Sequence, residues 1–220
     1  MVTIKWLGHA GWMIKFSKAT VLIDPFLTQN PTAAMKESEI DRADFIVITH
    51  EHFDHVGDAF AISKRTGAKI VGMFELSQMG KEQGVPEENF IGMNKGNLTQ
   101  FGDVSIGLTH ADHSGNECGA LVSGDGKTIY HAGDTALFGD MKLIGELYHP
   151  DAALLPIGGF FTMSPKEAAV AAKLIGAKYT IPMHFNTFPP IEQDPDKFAE
   201  LVKEGTTVKV MKSGEEFTLQ

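Results

Sequence analysis

Apolar and polar positions alternate in short runs along most of this 220-residue chain. Runs rich in β-branched and aromatic residues, bounded by Gly, Pro, Asn or Asp, predict strands. They fall at 4–7, 12–16, 20–23, 45–48, 69–71, 98–101, 104–109, 120–123, 128–131, 152–155, 179–181 and 208–211. Ser123-Gly124-Asp125-Gly126 predicts a tight hairpin between two of them. Apolar spacing of three and four predicts helices over 58–65, 75–83, 142–148 and 194–203. Another is expected from Ser164-Pro165-Lys166-Glu167, which reads as an N-cap, a proline at the first helical position and a capping glutamate. It should run to Ile175 and stop at Gly176. Strand-rich stretches with interspersed helices predict a layered α/β or α+β arrangement, with residues 1–220 as one domain.

Composition narrows the function classes. With 28 acidic and 19 basic residues the formal charge is −9, a poor balance for gripping phosphate backbones, so a nucleic-acid partner is not expected. Cys118 is the only cysteine, which rules out an intramolecular disulfide and suits a reducing compartment. The first residues carry no basic stretch ahead of an apolar run, and no apolar run approaches about 18 residues. A cytoplasmic protein without a membrane span is the expectation.

The informative segment follows the apolar run Phe45-Ile46-Val47-Ile48. There Thr49-His50-Glu51-His52-Phe53-Asp54-His55 places three imidazoles and a carboxylate within six residues at the end of a buried strand. A regular helix would send His50 and His52 to nearly opposite sides, whereas an extended segment or loop lets them converge. Such donors suit Zn²⁺, and also Mn²⁺ or Fe²⁺.

The same segment resembles the His-x-His-x-Asp-His signature of the metallo-β-lactamase superfamily. Tyr130-His131-Ala132-Gly133-Asp134-Thr135 resembles that superfamily's Gly-Asp-Thr segment, and Ile181-Pro182-Met183-His184-Phe185 its final histidine. Ala111-Asp112-His113-Ser114 stands where its middle histidine is expected. Leu7-Gly8-His9-Ala10-Gly11, Leu22-Ile23-Asp24-Pro25 and Leu155-Pro156-Ile157-Gly158-Gly159 are similar to a small single-domain branch of metal-dependent hydrolases. That branch is akin to ascorbate-6-phosphate lactonases and N-acyl-phosphatidylethanolamine phospholipases D.

The resemblance implies an α+β fold, a four-layer αββα sandwich with two divalent ions at one edge. It assigns His50, His52 and His113 to the first ion, and Asp54, His55 and His184 to the second. Asp134 bridges the two. His110, three residues before His113, is the competing histidine, and only the resemblance chooses between them. The implied chemistry is metal-dependent hydrolysis of a small ester, lactone or phosphodiester by an activated hydroxide that Asp54 and Asp134 orient. His9 is a candidate for substrate binding or proton transfer, with a structural role as the alternative. Asp24 either orients a ligand histidine or closes a turn before Pro25. His131, His149 and Cys118 read as packing or loop residues, and Gly158 and Gly159 as a turn or a close backbone approach. A small-molecule substrate is expected, and the open edges of such sandwiches allow a homo-oligomer. Two other readings stay in view: a metal-binding sensor or scaffold without turnover, and a nuclease-type phosphodiesterase.

Overall fold

Two seven-stranded sheets face each other in a computed structural model that describes residues 1–202 and 204–220. The first sheet is built from β1 (Val2–Gly8), β2 (Gly11–Lys15), β3 (Thr20–Ile23), β4 (Phe45–Val47), β5 (Lys69–Met73), β6 (Phe90–Met93) and, from the far end of the chain, β14 (Glu216–Leu219). Its order is β14-β1-β2-β3-β4-β5-β6. The second contains β7 (Gly96–Phe101), β8 (Val104–Thr109), β9 (Gly119–Gly124), β10 (Lys127–His131), β11 (Ala152–Pro156), β12 (Tyr179–Met183) and β13 (Thr207–Val208), in the order β13-β12-β11-β10-β9-β8-β7.

Each sheet changes character once. Pairing is antiparallel from β14 to β3 and parallel from β3 to β6. In the second sheet it is antiparallel from β7 to β10 and parallel from β10 to β13. Parallel pairs need long crossovers, and helices supply most of them. These helices are α1 (Phe53–Val56), α2 (Ala59–Thr66) and α3 (Leu76–Glu82) beside the first sheet, and α4 (Met141–Tyr148), α5 (Pro165–Ile175) and α6 (Pro195–Leu201) beside the second.

Alternation along the strands splits the core. Trp12, Ile14, Val21, Ile23, Val47 and Val71 belong to the large apolar cluster shared with the second sheet. Their neighbours Met13, Leu22, Ile46, Ile48 and Ile70 point the other way and pack with Phe60 and Ile62 of α2 and Leu76 of α3. Trp12 reaches across the sandwich, its indole Nε1–H donating to Met183 Sδ at 3.3 Å. On the far side Ala168, Ala171, Ala172 and Ile175 of α5 are buried in the large cluster. Four layers result: helices, sheet, sheet, helices. This is the α+β sandwich expected from the sequence.

The local signals hold with two exceptions. Asp125 and Gly126 close the β9–β10 hairpin with φ of 50° and 72°, as a type I′ turn demands. The capping box of Ser164 and Glu167, Pro165 at the first position and a left-handed Gly176 bound α5. The strand expected at 208–211 is shorter, Thr207–Val208, because beyond it the chain crosses to the first sheet, where Gly214 N–H donates to Trp6 O. Edge strands β6 and β14 carry no alternation of buried and exposed positions and were absent from the expectation. Lys203, the expected end of the last helix, lies outside the described residues.

Candidate metal centre

The candidate residues all follow the C-terminal ends of strands. His9 follows β1, Asp24 β3, His50 and His52 β4, His113 β8, Asp134 β10 and His184 β12. In open α/β sheets the carboxyl ends beside a change in strand direction are where ligands are received. Here β3 and β10 are those strands in their respective sheets.

His50 and His52 lie in non-helical backbone, and their rings converge, with His50 Nε2 2.9 Å from His52 Nδ1. His52 is the extended N-cap of α1, so the chain turns helical directly afterwards. Asp54 and His55 therefore sit on a helical turn. His113 brings its Nε2 to 3.3 Å from His52 Nδ1. His110 is exposed and stacks edge-on against Phe138 instead.

Asp134 is buried between the groups. Its Oδ1 is 3.3 Å from His55 Nε2, and its Oδ2 is 3.0 Å from His184 Nε2 and 3.8 Å from His113 Nε2. The donor atoms fall into three overlapping sets, each within 4.8 Å: His50, His52 and His113; His50, His55 and Asp134; and His9, Asp54, His55 and His184. None of His55 Nε2, His184 Nε2 and Asp134 Oδ1 makes a hydrogen bond, although all three are buried. Buried polar atoms are normally paired, because leaving one unpaired costs roughly 1–3 kcal/mol. Unpaired imidazole and carboxylate atoms aimed at one small volume are the donor chemistry of a transition-metal site. Ligands about 2.0–2.1 Å from a tetrahedral ion stand roughly 3.3 Å apart, close to the spacings of the first set.

Electrostatics agree with that chemistry. Burial raises the Asp134 pKa, but His184 and His55 outweigh it and hold the carboxyl well below the usual range. Burial likewise opposes ionisation of Asp54, and the hydrogen bond with His9 and the charge of His55 reverse it. Burial, then the neighbouring His55, lowers His50 to about 3, which leaves a neutral imidazole. His55 goes the other way: burial is overcome by Asp134 and Asp24, so its ring binds its proton tightly. A metal ion would displace that proton on binding.

A cavity of about 530 Å³ opens over these atoms. His52, Asp54, His113, Asp134 and His184 form its polar part, and Phe53, Phe161, Phe188 and Pro190 its apolar walls.

The beta-lactamase superfamily domain profile matches residues 19–185. A UPF0173 metal-dependent hydrolase of Thermococcus kodakarensis is 50% identical, with 100% of both chains covered. The chain belongs to the beta-lactamase superfamily, among its UPF0173 metal-dependent hydrolases. The solved structure of Igni18, a metallo hydrolase from the archaeon Ignicoccus hospitalis, is 39% identical over 100% of this chain and 99% of that one, with a TM-score of 0.91. An isothiocyanate hydrolase from Delia radicum gut bacteria shares the fold, with a TM-score of 0.80 at 17% identity and 99% of both chains covered.

Around the donor set this hydrolase has a second ring of contacts. Asp24 is fully buried with φ 45°, and its Oδ2 accepts from His55 Nδ1 at 2.7 Å. The same carboxylate accepts from Thr49 N–H at 2.8 Å and from Thr49 Oγ1–H at 2.6 Å. Thr49 Oγ1 is in turn 3.0 Å from His50 Nδ1. His9 Nε2 lies 3.1 Å from Asp54 Oδ2, and its Nδ1 2.8 Å from Thr187 Oγ1. An ionised carboxylate only accepts, so Nε2 carries the His9 proton and Nδ1 accepts from the threonine. His9 is thus near enough to count among the donor atoms, yet the nitrogen facing Asp54 is already a donor. Thr49 and Thr187 were not singled out from sequence. Thr187 meets His9 across 178 residues, a separation no local pattern carries.

The remaining sequence candidates are structural. His131 Nε2–H donates to Ala10 O, and its Nδ1 accepts from Gly133 N–H. Cys118 is buried, which pushes its thiol pKa up, and Sγ–H donates to Thr49 O. His149 is the exposed left-handed cap of α4. A Cβ on Gly158 would run into the His184 carbonyl, so that glycine serves a close backbone approach.

Proposed function

We propose that His50, His52 and His113 hold one divalent ion, and that Asp54, His55 and His184 hold a second. Asp134 would serve both, one carboxylate oxygen facing His55 and the other His113 and His184. The observation that carries this reading is the overlap of three donor sets through shared members, with buried donor atoms left without hydrogen bonds. Divalent ions held by these residues would supply Lewis acidity and would bring the pKa of a bound water toward about 7.

The chain's own residues have separable tasks. Asp54 and Asp134, whose carboxyls are held ionised by the neighbouring histidines, would be placed to accept hydrogen bonds from a water at the site. Asp24 and Thr49 fix the rings of His55 and His50 by taking up their distal nitrogens. His9 fixes the carboxylate of Asp54 and is absent from the cavity wall. The phenyl rings beside the polar floor offer apolar contact to the part of a substrate away from the reacting bond. The reaction is hydrolysis of a small ester, lactone or phosphodiester.

Asp134→Ala and His52→Ala should each lose metal and activity together, read by elemental analysis and by turnover on a panel of esters, lactones and phosphodiesters. Full metal content with full activity in either variant contradicts the assignment. Wild-type protein with full metal content that turns over none of the panel would instead favour a metal-binding sensor.

A further inference from the structure

The walls of the cavity differ in chemistry from its floor. The floor carries imidazoles and carboxylates, and the walls are Phe53, Phe161, Phe188 and Pro190. Phe53 is 66% exposed and Phe161 51% exposed, although both are large aromatics beside a polar site. Phe53 packs against Phe188 with ring centroids 6.3 Å apart, and Phe161 against Phe160 at 4.7 Å, so each is braced by another ring. Among the described residues Ser114 is the neutral polar side chain of the lining, and no Lys or Arg contributes to it.

We propose that the substrate is an uncharged carboxylic ester or lactone bearing an aryl or bulky alkyl group, and not a phosphorylated molecule. This rests on the hydrolytic reading above and narrows its substrate class. Small-molecule sites place a few convergent polar groups on the reacting centre and apolar side chains on the rest of the ligand. A cavity of about 530 Å³ suits a molecule with a ring or a branched chain beside the scissile bond. A phosphate tail would need guanidinium, ammonium or backbone N–H donors beyond the floor. Here it would meet phenyl faces, in a protein of net charge −9, and surrender its hydration without compensation. The reaction balances with water alone. The water oxygen bonds to the carbonyl carbon, the acyl C–O bond breaks, and the leaving oxygen takes a water proton. The products are a carboxylic acid and an alcohol, joined in one hydroxy acid when a lactone opens.

The test uses metal-reconstituted full-length protein of known metal content. Calorimetry compares phenylacetohydroxamate with acetohydroxamate, which share a chelating head and differ in the aryl arm. Turnover compares p-nitrophenyl phenylacetate, p-nitrophenyl acetate and methyl p-nitrophenyl phosphate. The aryl arm should tighten binding by about tenfold or more, since burying a phenyl ring contributes that much. Phe161→Ala should remove most of this advantage, weakening phenylacetohydroxamate by a larger factor than acetohydroxamate. Because Phe161 is half exposed the variant should fold, and Phe188→Ala, at another aromatic of the lining, gives an independent check. Phe161→Lys should move the turnover preference toward the phosphodiester. Equal affinity for the two hydroxamates, or a wild-type preference for the phosphodiester, overturns the proposal. Absence of turnover on every substrate with the aryl preference intact would defeat the hydrolytic reading and leave the apolar pocket standing. Efficient hydrolysis of the phosphodiester over both esters would do the reverse.

Discussion

At the scale of single residues, Asp24 and His9 show how a buried polar group acts through another. Asp24 takes His55 Nδ1, which leaves Nε2 directed at Asp134. Asp24→Asn should keep the fold but lower metal affinity by roughly 10–100-fold, measured by competition with a chelator. Unchanged affinity would show that His55 is oriented by packing alone. His9 offers a pH test. Burial, and next the charge of His184, lowers its pKa from 6.5 to about 4, against the pull of Asp54. Between those values the unfolded chain takes up a proton that folded His9 refuses, so the unfolded state binds more protons. Stability from this group is then complete above about pH 6.5 and is lost as pH falls toward 4, by on the order of 3 kcal/mol. His9→Gln should flatten that loss in urea denaturation of metal-free protein, and an unchanged slope would contradict the account. His50, His52, Asp54 and His55 were visible in sequence because they crowd one segment. Choosing His113 over His110 was not possible from spacing, since both follow the same strand. In the structure only His113 faces the cluster, while His110 stacks on Phe138.

At the scale of elements, strand ends deliver the donors and turns aim them. His9, Asp24 and His184 all have positive φ, at 55°, 45° and 55°, a region costly for residues with a Cβ. Strain of this kind persists where neighbours over-determine it. Here His184 N–H donates to His9 O, which also accepts from Trp6 Nε1–H. The backbone of His184 is further confined by Gly158, so Gly158→Ala should displace His184 and weaken metal retention. Ser164→Ala provides the contrast. It removes the cap of α5 and should cost about 1 kcal/mol in denaturation, with metal content unchanged. Equal effects of the two variants on metal content would argue against a local role for Gly158. Elements with strong local signals, such as α5 and the β9–β10 hairpin, were legible. Strands β6 and β14 were not, because neither alternates buried and exposed positions, and β14 is held by ladder bonds to β1 at the other end of the chain. The turn α1 is four residues long, too short for periodicity to announce.

At the scale of the whole molecule, one sandwich brings together groups as far apart in sequence as His9 and His184. The antiparallel-to-parallel switch recurs in each sheet, at β3 and β10, and the residues following those strands include Asp24 and Asp134. Strand-rich runs with interspersed helices gave only a layered α/β or α+β arrangement; the four-layer sandwich came from the family resemblance of the histidine and aspartate motifs. The aromatic cavity followed from neither, since Phe53, Phe161 and Phe188 meet only once both sheets are folded. Among the described residues no helix is long and apolar enough to cross a membrane. Ions bound only by the folded state should stabilise it, so a chelator should lower Tm in wild-type protein and much less in Asp134→Ala. The most direct measurement is the number of divalent ions per chain in reconstituted, desalted protein. Two ions in wild-type and fewer in Asp134→Ala are the predicted result. One ion at saturation in wild-type, or two retained without Asp134, would contradict a centre built on a shared carboxylate.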